Sequence, residues 1–388
     1  MKRVLLWGLL VPILLRRLIP GWLLESPVIL AARHPWIALA CAAMGVAIGG
    51  LVVAASGVIP MKASTGHWPV TARFLHFAMR QSVVTHAAGI AVPPLADDAL
   101  VARGAAHYEL ACRACHGGAA GEVPMIPAGM IPTPRALAVH AADWRPRELF
   151  YIVKHGMKFT AMPPWPAPQR DDEVWAMVAF VGRLPSLDRG EYDRLARGGT
   201  SMPLDLLADL QPPDVVRSNC GRCHGVDGNS RGTRAFPRLA GQRAEYIERA
   251  LRAYADGRRY SGIMGPIAAA LTPEARRDAA GHYASLAPLR TAPPAGDVSE
   301  GRAIAMDGRP DQRIPACTEC HGPAATPKNP AYPRLAGQLP EYLVTQLRLL
   351  RDRRRGGSEY VHLMHEVASQ LTDEQIAAVA RYYAATVQ

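Results

Sequence analysis

CRACH at 112–116, CGRCH at 220–224 and CTECH at 317–321 are one five-residue frame written three times. A Cys-x-x-Cys pair alone reads as a redox couple or half of a zinc site, but a histidine in the next position turns the reading to covalent attachment of a c-type haem. On a short helix the two thiols stand about one turn apart. They can add to the two vinyl groups on one edge of the porphyrin, and the next imidazole then meets the iron. No second Cys-x-x-Cys lies close enough to any frame to complete a four-ligand zinc knuckle, and no βαβ context accompanies them as thioredoxin-like chemistry would require. The frames therefore predict three covalently bound haem c groups. Cys112 and Cys115, Cys220 and Cys223, and Cys317 and Cys320 are the tethers; His116, His224 and His321 are the proximal ligands. The seventh cysteine, Cys41, sits in an apolar run and reads as inert packing.

An electron-transfer haem fills its second axial position, and a thioether there raises the potential. Met264 is the only methionine between His224 and Met306, and Met364 the only one after His321. Each is followed by a leucine, a threonine suited to cap a helix and an acidic residue, so both are assigned as sixth ligands. His362 and His365 flank Met364 as rivals. In the first copy HGMKFTAMPPWP, 155–166, offers Met162, with Met157 and His155 as alternatives. The prolines after Met162 favour a rigid, extended loop.

PRLAGQ also occurs twice, at 237–242 and 333–338. A ligating imidazole donates its other N–H to a carbonyl, which fixes tautomer and ring plane. Pro237 and Pro333 follow their histidines at a distance from which a loop can return over the ring. In the first copy Pro134 is the expected counterpart, with Pro132 next.

All three segments resemble class I cytochrome c domains: an early CxxCH, a proline-containing loop, a late methionine and a final helix. Residues 205–388, through CGRCHG…FPRLAGQRAEYIERALRAY and CTECHG…YPRLAGQLPEYLVTQLRLL, resemble the dihaem cytochrome c-four group. Segment one is similar to haem domains of cytochrome subunits in membrane-bound oxidoreductases. The resemblance implies an all-α fold of three tandem class I cytochrome c domains, at 95–190, 205–290 and 295–388. The residues agree independently. AEYIERALRAYADG and PEYLVTQLRLLRDRR carry apolar residues at helical spacing. Val174, Val178 and Val181 share one helix face, as do Ile376, Val379 and Tyr383. Tyr283 and Tyr382 read as equivalent packing aromatics. The Pro-rich linker PLRTAPPAGDVSEG should hold the last two domains close.

Trp36–Ile59 contains no charge, and its 24 residues would span about 36 Å as a helix, enough for a bilayer core of about 30 Å. Residues 1–60 are expected to form an N-terminal membrane anchor, with a transmembrane helix at about 36–59. Val4–Leu15 is too short to cross and reads as interfacial. Lys2, Arg3, Arg16, Arg17 and Arg33 precede the span against Glu25 alone, which places the N-terminus inside and the rest outside. A cleaved signal is the competing reading, but the apolar run starts late and is long. Residues 61–94 form a juxtamembrane segment, either an amphipathic helix on the membrane or part of the first domain.

Seven cysteines in 388 residues are too few for a disulfide scaffold, and no phosphate loop, carboxylate pair or Ser/His/Asp set competes for a function. Net charge is +11, which suits solubility and topology, or docking to acidic partners or anionic lipid; no nucleic-acid partner is expected. The arginines at 351 and 353–355 are a candidate docking patch. The expectation is a single-pass protein of a bacterial inner membrane with its haem domains in the periplasm. It would carry electrons in a respiratory chain towards a terminal oxidase. The alternatives are the cytochrome subunit of a membrane-bound dehydrogenase and, further off, a haem peroxidase, which would need an open iron.

Overall fold

The computed structural model describes residues 35–59, 61–198, 210–288, 296–322 and 329–386. They are helices and turns, with a lone antiparallel bridge between Arg309 and Ile314. The chain divides into two compact units, Met1–Gly66 and His67–Gln388. Val4–Leu15 and the basic cluster around it lie outside the described residues.

In the first unit, helix α1 spans Pro35–Ala55, 21 residues with a mean hydropathy of 2.4 and nothing buried. At 1.5 Å per residue it is about 32 Å long, so by length and composition it can cross a bilayer. It ends four residues before the expected Ile59, at a turn where Gly57 takes φ +67°.

In the second unit, α2 (Pro69–Ala87) has two unlike sides. Val83 and Ala87 are buried. On that side His86 stacks on Tyr151 at 5.6 Å and the Arg80 guanidinium lies 4.6 Å over Trp144. Val70, Phe74, Phe77 and Val84 fall within roughly 80° of arc on the other side, and all four are exposed. Of the two sequence readings for this stretch, packing on the first haem-frame lobe holds for one stripe. The opposite stripe is left apolar and bare.

Three helical lobes follow, one around each Cys-x-x-Cys-His frame. The first contains α3 (Asp98–His107), α4 (Pro146–His155) and α5 (Asp171–Arg183). Asp97 caps α3 by accepting from the Ala99 N–H at 3.0 Å. Apolar positions of α5 recur at helical spacing, so Val174, Met177, Val178 and Val181 are all buried against α3. The two backbones nearly touch: a Cβ on Gly104 would overlap the Ala176 carbonyl. The second lobe contains α6 (Ala244–Ala255), α7 (Met264–Ala269) and α8 (Pro273–Ser285). The third has α9 (Ser299–Asp307), α10 (Pro340–Arg351), α11 (Val361–Ser369) and α12 (Asp373–Ala385). There Gly301 plays the part of Gly104, pressed on the Ala378 carbonyl of α12. The final helices start as their sequences imply. Thr272 Oγ1 accepts from Ala275 N–H at 3.2 Å, and Thr372 Oγ1 from Gln375 N–H at 3.3 Å.

The glycine crossing gives a direct test. Gly104→Val forces α3 off α5 and should cost about 1–3 kcal/mol. Gly182→Ala, in the same α5 with nothing within 4 Å of its added methyl, should be neutral or stabilising by up to about 1 kcal/mol. Denaturant unfolding of the haem-loaded chain distinguishes them.

Candidate haem sites

Each frame ends on a four-residue helical turn: Arg113–His116, Gly221–His224 and Thr318–His321. A glycine in the left-handed region closes each one, Gly117 at φ +75°, Gly225 at +78° and Gly322 at +74°. A buried tyrosine hydroxyl then donates to that glycine's carbonyl. The pairs are Tyr108 to Gly117 at 2.8 Å, Tyr283 to Gly225 at 3.0 Å and Tyr383 to Gly322 at 3.2 Å. The expectation that paired Tyr283 with Tyr382 is corrected. Two adjacent tyrosines end the third copy, and it is Tyr383 that points inward, while Tyr382 is half-buried and donates to Met306 Sδ at 3.6 Å. In the first lobe the tyrosine comes from just before the frame, not from the last helix.

The histidines are tied as a proximal ligand requires. His224 Nδ1 lies 3.0 Å from the Pro237 carbonyl oxygen and His321 Nδ1 lies 2.9 Å from that of Pro333. A carbonyl can only accept, so each Nδ1 carries the proton and Nε2 keeps its lone pair. Burial lowers the pKa of both rings, which keeps them neutral. In the first lobe the partner is neither Pro134 nor Pro132 but Arg135, whose carbonyl oxygen is 2.8 Å from His116 Nδ1. The loop there runs 19 residues against 13 and 12 in the other lobes. It returns one residue out of step, and any backbone carbonyl serves. Burial also pushes the Cys112 thiol up to about 12, and those of Cys220 and Cys317 to about 11. A redox-active thiol pair needs the opposite shift.

Cys220, Cys223, His224 and Met264 line one cavity of about 640 Å³, and so do Cys317, Cys320, His321 and Met364. Its wall also holds the buried guanidiniums of Arg259 and Arg355. Arg259 donates to the Tyr246 and Tyr342 hydroxyls at 3.3 and 3.2 Å, and Arg355 Nε has no partner. An apolar cavity with buried cations fits a group that is flat, apolar and carries carboxylates, as haem does through its propionates. Of the rivals to Met364, the His362 ring bonds the Glu359 carbonyl at 2.9 Å and the His365 ring the Arg355 carbonyl at 2.8 Å. Met157 and Met162 are both half-buried, joined by Met157 N–H donating to the Met162 carbonyl at 3.1 Å. His155 is exposed, its ring 4.7 Å from that of Tyr151.

The two PRLAGQ copies face each other. Arg238 N–H donates to Gln338 Oε1 at 3.0 Å, and Gln338 Nε2 donates back to the Arg238 carbonyl at 3.0 Å. The mirror pair is Arg334 N–H to Gln242 Oε1 at 2.9 Å and Gln242 Nε2 to the Arg334 carbonyl at 2.9 Å. Each arginine side chain also reaches across, Arg238 to the Gly337 carbonyl at 2.7 Å and Arg334 to that of Gly241 at 3.0 Å. The arginine run at 351–355 is consumed internally. Arg351 pairs with Asp373 at 2.8 Å, Arg353 with Glu366 at 2.8 Å and Arg354 with Asp171, while Arg355 is buried. The candidate docking patch is thus compensated by carboxylates of the same chain.

A family profile described as Cytochrome c matches residues 214–281 and 298–385, and one described as Cytochrome C oxidase, cbb3-type, subunit III matches 99–181. A thiosulfate dehydrogenase electron acceptor of Thiomonas intermedia is 37% identical over 177 residues, covering 45% of this chain and 80% of the relative. Cytochrome c4 of Pseudomonas aeruginosa is 32% identical over 164 residues, 42% of this chain and 81% of the relative. The solved cytochrome c4 of Acidithiobacillus ferrooxidans aligns at 33% identity and a TM-score of 0.39, over 43% of this chain and 99% of that one. The chain belongs to the class I c-type cytochromes and carries a cytochrome c4-like segment in its C-terminal half. Membership brings covalently bound haem c and electron transfer with it.

The reciprocal glutamines supply the second test. Gln338→Ala removes the acceptor shared by the Arg238 and Leu339 N–H groups and the donor to the Arg238 carbonyl, a loss of about 1–3 kcal/mol. Gln242→Ala should cost a similar amount, and the double variant less than the sum, because the two pairs close one interface. A double-mutant cycle on unfolding free energies measures this.

Proposed function

We propose that this chain is a membrane-anchored triheme cytochrome that takes electrons from a periplasmic dehydrogenase, one haem being held in each lobe. The observation that carries the partner is the relative described as a thiosulfate dehydrogenase electron acceptor, which matches the c4-like segment. This moves the dehydrogenase reading ahead of the terminal oxidase that the sequence alone put first. A thiosulfate-oxidising enzyme is the first donor to try. The oxidase reading keeps one specific support, the subunit III profile matching 99–181, and it fits as the onward acceptor from the first lobe.

Bound haem supplies an iron that alternates between ferric and ferrous states, one electron at a time. The protein's part is to hold it closed. Cys112 and Cys115, Cys220 and Cys223, and Cys317 and Cys320 would tether it; His116, His224 and His321, with Met162, Met264 and Met364, would ligate the iron. With a methionine as well as a histidine to hold each iron, no open site would remain for peroxide, which argues for a relay over a peroxidase. The domains follow the three lobes, at 95–190, 205–290 and 295–388. We read α1 as the anchor in the inner membrane and the bare stripe of α2 as resting on the lipid surface outside it. Haem attachment needs export, which places the lobes in the periplasm.

Intact-mass measurement should find three haem additions, and Cys317→Ser/Cys320→Ser should remove one. Mixed anaerobically with a thiosulfate dehydrogenase and thiosulfate, the purified chain should develop the reduced haem α-band at a rate that saturates with enzyme. No reduction by that enzyme, alongside fast exchange with an oxidase, would reverse the order of the two partners.

A further inference from the structure

Glu173 lies near the start of α5 in the first lobe and is 3% exposed. Its carboxylate is spent on another lobe. Oε1 accepts from the Ser261 hydroxyl at 2.6 Å, and Oε2 accepts from the Gly262 N–H at 2.7 Å. Ser261 Oγ in turn accepts from the Met264 N–H at 2.9 Å and the Ile263 N–H at 3.2 Å, capping the turn that begins α7 at Met264. The same Oε2 accepts from Trp165 Nε1 at 3.2 Å, and Trp165 stands three residues after Met162. Gly262 is packed so tightly on that indole that a side chain there would overlap it. Arg170 completes the cluster, pairing with Glu173 at 3.0 Å and donating to the Tyr260 carbonyl at 2.7 Å.

We infer that Glu173 is a positioning residue for a metal centre in a different lobe: it clamps the Met264 loop through Ser261 and so sets how the Met264 sulfur meets the second haem. This rests on Met264 being the sixth ligand, as proposed above. The physics is that of an outer partner orienting an inner ligand. The carboxylate takes three donors in a buried setting, where charge-assisted hydrogen bonds are at their strongest, and two of them come from the loop that carries the thioether. Hydrogen bonding around a ligand is one of the levers that tune a haem potential. Other carboxylates that cross between lobes, such as Asp171 and Glu359, pair with arginine side chains, whereas Glu173 bonds the methionine loop itself. The second haem's potential is therefore a property of the docked pair of lobes, not of the second lobe alone. Because Glu173 also holds Trp165, the loops bearing Met162 and Met264 are fixed to one carboxylate.

The test uses the full-length, haem-loaded chain in detergent, with spectroelectrochemical titration and the far-red band from methionine sulfur to ferric iron. Met264→Ala comes first: it should move one of the three one-electron waves and remove about a third of the band. If it moves nothing, the ligand assignment fails and the clamp with it, whatever Glu173 does. Glu173→Gln places an amide where two N–H donors converge and leaves Arg170 paired with Asp172 alone. Ser261→Ala breaks only the bridge and keeps the carboxylate, so it carries the test if Glu173→Gln does not fold. Each should shift the same wave that Met264→Ala identifies by a tenfold change in its equilibrium, about 59 mV for one electron, with the other two waves unmoved. Variants that retain three haems and leave that wave and the band unchanged would overturn the proposal and make Glu173 a purely structural contact.

Discussion

A buried imidazole held by one backbone carbonyl is the constraint on which the rest of this molecule depends. The Nδ1–H bonds from His224 and His321 to Pro237 and Pro333 fix which ring nitrogen is free and where it points. For that bond to form, a loop must return across the frame, and the four-residue turn must stop at once. The left-handed glycine after each histidine stops it, and a buried tyrosine locks the glycine. Helices of 9 to 13 residues then wall the cavity that both frames line. Small domains bury too little apolar surface to be robust unaided, so a covalently bound porphyrin and contact between lobes supply what each lobe lacks.

The PRLAGQ repeat joins those two requirements in one strip of backbone. The proline carbonyl faces inward to the histidine, and the next residue's N–H and carbonyl face outward to the other lobe's glutamine. A single peptide step therefore links the proximal ligand of one haem site to the surface of the next lobe. Both copies obey the same rule, so the contact is close to two-fold symmetric. The first lobe lacks the glutamine and uses Arg135 on its histidine. It is attached instead through the Glu173 cluster and through α3, where Ala102 and Ala106 pack against Cys223 and Phe236.

Most of the haem sites was legible in the sequence because covalent attachment needs fixed residue types at fixed spacing. The cysteines, the histidines and the two partner prolines of the c4-like segment could be read that way, and so could the capping threonines and the valine faces of α5. What escaped was set by three-dimensional register. Tyr382 and Tyr383 are adjacent, and only the helix's rotation tells which is inside. Pro134 and Arg135 are neighbours in a loop whose length has no counterpart in the other lobes. The arginine run looked like free charge because its partners Asp171, Glu366 and Asp373 are 183, 13 and 22 residues away in sequence. Glutamine gave no signal at all: it is polar and unremarkable in a loop, yet Gln242 and Gln338 close the interface.

Glu173 illustrates why such residues hide. It stands in DDEVW, an acidic opening that suits any helix N-terminus, and that reading is complete for Asp172, while Asp171 also meets Arg354 of the third lobe. Asp172 is bound to Arg170 beside it, and Asp171 to Lys154. Glu173 turns inward, where Trp165 and Arg170 of its own lobe meet it together with the Gly262 N–H and Ser261 O–H of the second. A buried carboxylate without donors would be destabilising by several kcal/mol, and the second lobe supplies half of those found here. If Met264 is a ligand as proposed, the contact between the first two lobes bears on how one of them holds it, which suits a fixed relay better than a pair of tethered shuttles.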